Sequence, residues 1–258
     1  DAGNTGGRDY IDQMLLLPDG KIVAAGSVDT KMALMRFTSD LDLDPNFGSG
    51  GVVKTVTSFY SSPSHQYTGI MLERDKEGRL LVAGGGRLYR YLANGSLDTT
   101  FGSSGYVGSG AFVHGLGIQG DGLILVAHNG GVDRMDQDGG NKTEIISRDS
   151  NKGIQVWDDG DIVLTTDGFD VHRYNRDAVH EQSYDAGSGT SNSVLELPDD
   201  RFLVVGTGSS DLVVSRHLVS GAVDTTFGSS GRTTLPVLEG SDVAYRATLQ
   251  ADGKILLV

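Results

Sequence analysis

One apolar–turn–apolar segment recurs six times along this chain. "LLLPDGKIVAAG" turns at Asp19-Gly20, "MLERDKEGRLLVAGG" at Glu77-Gly78 and "LGIQGDGLILVA" at Asp121-Gly122. "IQVWDDGDIVLT" turns at Asp159-Gly160, "VLELPDDRFLVVG" at Asp199-Asp200 and "ATLQADGKILLV" at Asp252-Gly253. An acidic residue followed by glycine between apolar runs is a hairpin signal, because glycine reaches the positive-φ backbone that such turns need. The copies lie 58, 44, 38, 40 and 53 residues apart, and no helix-period stretch intervenes. That spacing leaves room for about four strands per copy, the period of a propeller blade. The expected fold is therefore all-β: a single β-propeller domain over residues 1–258, built from four-stranded antiparallel blades. Its units fall near 8–60, 61–110, 111–150, 151–188, 189–240 and 241–258. "AYRATLQADGKILLV" supplies only two strands to the sixth unit, which is expected to be incomplete or closed by the N-terminal segment. Closure would cover an exposed sheet edge.

A second repeat follows each hairpin. A third strand carries Arg36, Arg90, Arg134, Arg173 or Arg216, and in three units an aspartate stands eight residues further on. The pairs are Arg36 with Asp44, Arg90 with Asp98, and Arg216 with Asp224. Each aspartate opens a turn, "DPNFGSGG" or "DTTFGSSG", that leads into a fourth strand. A fixed spacing repeated in separate units reads as a structural ion pair pinning that turn, half-exposed and worth about 0.2–1 kcal/mol. The following phenylalanine (Phe47, Phe101, Phe227) is expected to pack between blades. The third and fourth units lose the "FG" turn, so their outer edges are expected to differ.

The combination of "LPDGKIVAAGS", the arginine strand "MALMRF" and the turns "NGSLDTTFGSSG" and "SGAVDTTFGSSG" resembles the delta-60 repeat family. The resemblance is strong in units one, two and five, confined to the hairpin in six, and weak in three and four. It implies a β-propeller belonging to large secreted or surface proteins, and it implies no reaction.

Charge and composition narrow the function. A formal net charge of −13 repels phosphate backbones, so no nucleic-acid partner is expected. No apolar run approaches membrane-spanning length, so no membrane insertion is expected. With no cysteine, thiol catalysis, thiolate metal sites and disulfides are excluded. An opening residue other than Met fits a processed secreted protein or a segment of a longer one. The expected location is extracellular or at the cell surface.

Counting back from each hairpin to the start of its leading strand gives Asp12, Thr68, His114, Lys152, Asn192 and Tyr245. These positions are polar and chemically varied where the rest of the repeat is uniform. They form the candidate binding pole, because ligand sites favour places where polar groups converge within apolar surroundings. The leading expectation is a non-catalytic scaffold or interaction domain that binds a protein or glycan, or packs into a surface assembly. The rival is a polysaccharide hydrolase or lyase using Asp12, His114, Lys152 and Tyr245 for acid–base work.

No cofactor or metal is expected. "SDLDLDPN" (Asp40, Asp42, Asp44) and "DQDGGNKTE" (Asp136, Asp138, Asn141) carry carboxylates as calcium loops do. Both also read as Asx-rich turns, which are common without metal. The six histidines show no metal-motif spacing, with His172 and His217 read as strand residues and Trp157 as blade packing. Asn94 and Asn141 sit in glycosylation sequons, which count only in a compartment with that machinery.

Overall fold

The structure is a computed structural model that describes residues 10–28, 31–58, 69–109, 113–149, 151–157, 159–185, 187–236, 242–244, 246–250 and 252–257. Its regular elements are all strands. The first sheet runs β1 (Tyr10–Leu16), β2 (Ile22–Val28), β3 (Lys31–Phe37), β4 (Val52–Ser58), and the second β5 (Met71–Arg74), β6 (Leu80–Gly84), β7 (Arg87–Tyr91), β8 (Tyr106–Gly108). The third comprises β9 (Val113–Ile118), β10 (Ile124–His128), β11 (Gly131–Met135) and β12 (Thr143–Ser147). β13 (Asn151–Val156), β14 (Ile162–Thr166), β15 (Asp170–Tyr174) and β16 (His180–Asp185) make the fourth. The fifth holds β17 (Thr190–Glu196), β18 (Phe202–Thr207), β19 (Leu212–His217) and β20 (Arg232–Leu235), and the sixth only β21 (Ala247–Leu249) and β22 (Ile255–Leu257). In every four-stranded sheet the strands neighbour one another in chain order.

Local sequence explains the strand order. At the first hairpin the Gly20 N–H donates to the Leu17 carbonyl at 2.9 Å, and Gly20 then adopts φ +80°. The glycine thus closes a longer turn with a left-handed residue, not the two-residue turn expected from the sequence. Asp200 takes the same place in the fifth sheet at φ +62°, a conformation that aspartate tolerates better than most residues. The third and fourth sheets, which lack the "FG" turn, still complete their fourth strands as β12 and β16.

Burial grades across each sheet. The second strands are buried along almost their whole length, as in "LLVAG" of β6, whereas β16 is almost wholly exposed. Two covered faces need apolar residues at every position, which is why these strands read as unbroken apolar runs and do not alternate.

The chain divides into two compact units with the boundary running through the third sheet. In the first unit, Leu34, Phe47, Ile70, Leu72 and Val82 form one core, and Leu81, Phe101, Ile124 and Val126 another. In the second, Trp157, Phe169, Val171, Phe202 and Val204 form a core, and Leu203, Val205, Val214 and Ala244 a further one.

Candidate functional site

The repeated arginine ties sheets together as well as pinning its own turn. Arg36 Nε lies 2.9 Å from Asp44 Oδ2, Arg90 Nε 2.8 Å from Asp98 Oδ2, and Arg216 Nε 2.8 Å from Asp224 Oδ2. Each guanidinium also covers the ring of its unit's phenylalanine, at 4.7 Å for Phe47 and Phe101 and 4.8 Å for Phe227. The first two pairs are buried, not half-exposed (the Arg90 side chain is 4% and that of Asp98 8% accessible), and in the third Asp224 is buried beneath a part-buried Arg216. Arg36 Nη1 donates to the carbonyl of Ala93 in the second sheet, and Arg90 Nη1 to that of Gln137 in the third. The glycine of each turn donates to the following sheet, whose Gly95 or Gly139 lies against that turn. The Gly48 N–H donates to Asn94 O at 2.9 Å and the Gly102 N–H to Asp138 O at 2.8 Å.

These carboxylates are held ionised. The Asn46 N–H, then Lys21 and Arg36, keep Asp44 at about 2 despite burial. Burial opposes ionisation of Asp98, but the Thr100 hydroxyl and N–H together with Arg90 outweigh it. Asp224 is lowered by the Thr226 hydroxyl first, then by the Thr226 N–H, Arg201 and Arg216. Asp44 is therefore occupied in this clamp, not presented with Asp40 and Asp42 as a calcium face. In the second carboxylate loop, Asp136 Oδ2 accepts from Asn141 Nδ2 at 2.6 Å and Asp138 Oδ1 from the Gly140 N–H at 2.9 Å, as Asx turns do.

The fourth sheet builds the clamp differently. Arg173 is held by Asp161 at 2.6 Å and by Glu181 at 3.2 Å, covers Trp157 at 4.7 Å, and donates to Val219 O of the fifth sheet at 2.9 Å. Glu181 stands eight residues beyond Arg173, the spacing of the aspartate in the other units, so this pair was legible with glutamate admitted for aspartate. Trp157 is buried as expected but serves as the ring beneath the arginine.

Three of the candidate pole residues share a backbone irregularity that the sequence did not reveal. Ile11 pairs with Gly26 and Gln13 with Ala25, leaving Asp12 as an extra residue in β1. Lys152 is the extra residue between Asn151 and Gly153 in β13, and Asn192 between Ser191 and Ser193 in β17. Bulges turn one side chain out of the ladder and are enriched beside functional sites. Lys152 Nζ lies 3.2 Å from Asp167 Oδ1, and Asn192 Nδ2 donates to Ala244 O at 2.9 Å. His114 is buried in β9, while Thr68 and Tyr245 lie outside the described residues.

Two histidine clusters emerge only from the tertiary structure. His128, Asp133 and Glu144 bring their ligand atoms within 4.8 Å of one another. The Gly130 N–H, however, donates to His128 Nδ1 at 3.2 Å, which puts the ring proton on Nε2, facing Asp133 Oδ2 at 3.4 Å. In that tautomer the ring presents a donor to the Asp133 carboxylate. In the other cluster, Arg148 Nη1 donates to His172 Nε2 at 3.2 Å, so His172 Nδ1–H donates to Ser183 Oγ at 2.8 Å. The Ser183 hydroxyl then donates to His180 Nε2 at 3.0 Å. Burial, then Arg148 and His180, push His172 down to about 4 and keep it neutral in this chain of bonds. The members lie on adjacent strands, β15 and β16, or in the segment before β13, which hides them from a linear search.

A family described as a β-propeller domain of unknown function (DUF5122) matches residues 17–47 and 78–101. No curated protein sequence matches. Among solved structures, the chain is similar to a protein of unknown function from Bacteroides caccae, with TM-score 0.56 and 11% identity over 91% of this chain and 89% of that one. It is also similar to the WD40 β-propeller domain of Doa1, with TM-score 0.61 and 12% identity over 98% of this chain and 77% of the other. At such identities the likeness speaks for fold alone. The five four-stranded antiparallel sheets are thus blades, the two-stranded sheet is part of a sixth, and the chain has a β-propeller fold.

Proposed function

We propose that this chain is a non-catalytic interaction or scaffold domain, extracellular or at the cell surface, that binds a protein or glycan through the bulged starts of its leading strands. The observation that carries this reading is a division of labour. Repeated residues serve the scaffold: Arg36 and Arg90 pin their own turns and reach the next blade, and Arg216 pins its own turn. The residues that vary between repeats, Asp12, Lys152 and Asn192, occupy bulges that turn side chains out of the ladder. Varied chemistry on a uniform scaffold is how a fold acquires a specific partner, since function lives in sites grafted onto folds. His114 on β9 stays a candidate from the sequence, as do Thr68 and Tyr245, which lie outside the described residues. The repeats themselves are of the delta-60 type.

A glycan array and cell-surface crosslinking test this, comparing the parent chain with a triple variant, Asp12→Ala, Lys152→Ala and Asn192→Ala. The expected result is saturable binding without turnover, lost in a variant whose melting temperature is unchanged. Turnover of a polysaccharide that disappears on Asp12→Asn would replace this reading with a hydrolase or lyase. Equal behaviour of parent and variant would sink the proposed surface.

A further inference from the structure

The histidine cluster of the fourth blade is a row of hydrogen-bond donors with no anion to receive them. Arg148 stands between β12 and β13 with its backbone held on both sides. Its N–H donates to Gly130 O at 3.2 Å, and its carbonyl accepts from Asn151 Nδ2 at 2.8 Å. The guanidinium gives Nε to the Tyr174 hydroxyl at 3.0 Å and Nη1 to His172 Nε2 at 3.2 Å, both neutral acceptors. Among the described residues no carboxylate pairs with Arg148, and nothing accepts from its Nη2. Arg36, Arg90, Arg173 and Arg216 by contrast each hold an aspartate, at 2.9, 2.8, 2.6 and 2.8 Å. The chain carries 34 acidic residues against 21 lysines and arginines, so this half-buried arginine does not lack a carboxylate for want of supply.

The neighbouring groups share that polarity. Tyr174 is 5% accessible and accepts from Arg148, while its own hydroxyl hydrogen has no acceptor among the described residues. A buried donor left without an acceptor is costly, and a native fold rarely leaves one so. His172 passes its Nδ1 hydrogen to Ser183, and Ser183 passes its own to His180 Nε2. The row therefore ends in the Nδ1–H of His180, an exposed residue. A bulge builds this face. β15 and β16 pair His172 with Ser183 and Tyr174 with His180, leaving Glu181 as an extra residue. Ser183 and His180 are three residues apart and would fall on opposite faces of a regular strand, but the bulge puts them on one. Glu181 itself is taken by Arg173 at 3.2 Å, and the His180 ring meets that of Tyr174 edge-on at 5.1 Å.

We propose that Arg148, the Tyr174 hydroxyl and His180 bind a tetrahedral oxyanion, the phosphate or sulfate group of a small ion or of a glycan ester. Arg148 Nη2 and the Tyr174 O–H donate to its oxygens, and His180 supplies its Nδ1–H at the rim. Guanidinium groups take such oxygens through charge-assisted bonds, which are stronger than those between neutral groups. The site uses none of Asp12, Lys152 and Asn192, and it goes beyond the interaction-domain reading.

The test titrates the intact chain with inorganic phosphate, and separately with inorganic sulfate, at constant ionic strength. Histidine ring NMR follows binding, with sodium chloride as control. Saturation is expected, and the His172 titration should move up from about 4, because a bound anion offsets the neighbouring Arg148 charge. Arg148→Gln should weaken either ion about tenfold. Tyr174→Phe keeps the ring and should weaken it about threefold. A chondroitin 4-sulfate disaccharide set against its desulfated form leaves the protein's folding untouched and separates the sources. Tighter binding than inorganic sulfate supports the oxyanion as part of a glycan, and equal or weaker binding supports the free ion. Absence of saturation, an equal response to chloride, unchanged affinity in both variants, or equal binding of the desulfated sugar would overturn the proposal. Each would leave binding through Asp12, Lys152 and Asn192 to its own test.

Discussion

In the second blade Arg90 takes its carboxylate from Asp98, eight residues on, and its ring from Phe101 in the same turn. In the fourth, Arg173 takes its closest carboxylate from Asp161 in the preceding hairpin and its ring from Trp157, just before that hairpin. The hairpin position itself changes sign: Lys21 and Arg201 reach the turn aspartates of the first and fifth blades at 3.1 and 3.0 Å, whereas Asp161 stands there in the fourth. What persists is a cation lying on a ring and donating to a carbonyl of the next blade. The invariant is the arginine's geometry, and its anion and aromatic partners come from the following turn in one blade and the preceding hairpin in the other. Drift in the "FG" turn therefore removes the sequence pattern without removing the clamp.

The comparison can be broken most forcefully at Arg90. Arg90→Ala leaves the buried Asp98 without its cation and should cost about 3–5 kcal/mol, read by urea denaturation. A loss below about 1 kcal/mol would make the clamp ornamental. Next is the glycine that the clamp receives. Gly95→Val combines a left-handed β-branched residue with a Cβ 2.8 Å from Val53 Cγ2, and a loss of about 2–4 kcal/mol is expected. The mirror experiment, Leu41→Gly, removes a left-handed strain at a position 67% exposed and should raise stability by about 1 kcal/mol. Smallest is Glu181→Gln, because Asp161 holds Arg173 more closely and Glu181 is exposed; about 0.2–1 kcal/mol is expected.

The fourth blade also differs from the second in its response to pH. His172 is held at about 4 against an ordinary 6.5, so below 6.5 the unfolded chain binds a proton that the folded one refuses. Its contribution to stability is complete above about pH 6.5 and falls away between there and pH 4. His172→Gln should flatten that part of the stability–pH curve, measured as denaturation midpoints at pH 4.5 and 7.5. The Asp44 clamp loses its contribution only lower, as pH falls below the ordinary carboxylate range toward about 2. An unchanged slope in His172→Gln would assign the pH response elsewhere.

Much of the fold was legible because its signals are local. Asp19-Gly20 and its echoes mark turns through the backbone freedom of one residue, and unbroken runs such as "LLVAG" mark strands covered on both faces. The candidate site was legible in part. The residue counts that found Asp12, Lys152 and Asn192 led to positions that prove to be bulges, but nothing in the letters distinguishes a bulge from a regular strand. Exposure misled where the pair was read alone, because the neighbouring blade covers Arg90 and Asp98.

From sequence alone came the turns, the number of repeats, the blade period and the arginine–aspartate spacing, all set within some ten residues of chain. Tertiary structure decided what the clamps grip. The acceptors of Arg36, Arg90 and Arg173 are carbonyls 57, 47 and 46 residues away, and a backbone carbonyl is the same atom in every residue. No letter marks it, so only the folded chain shows which carbonyls these arginines reach.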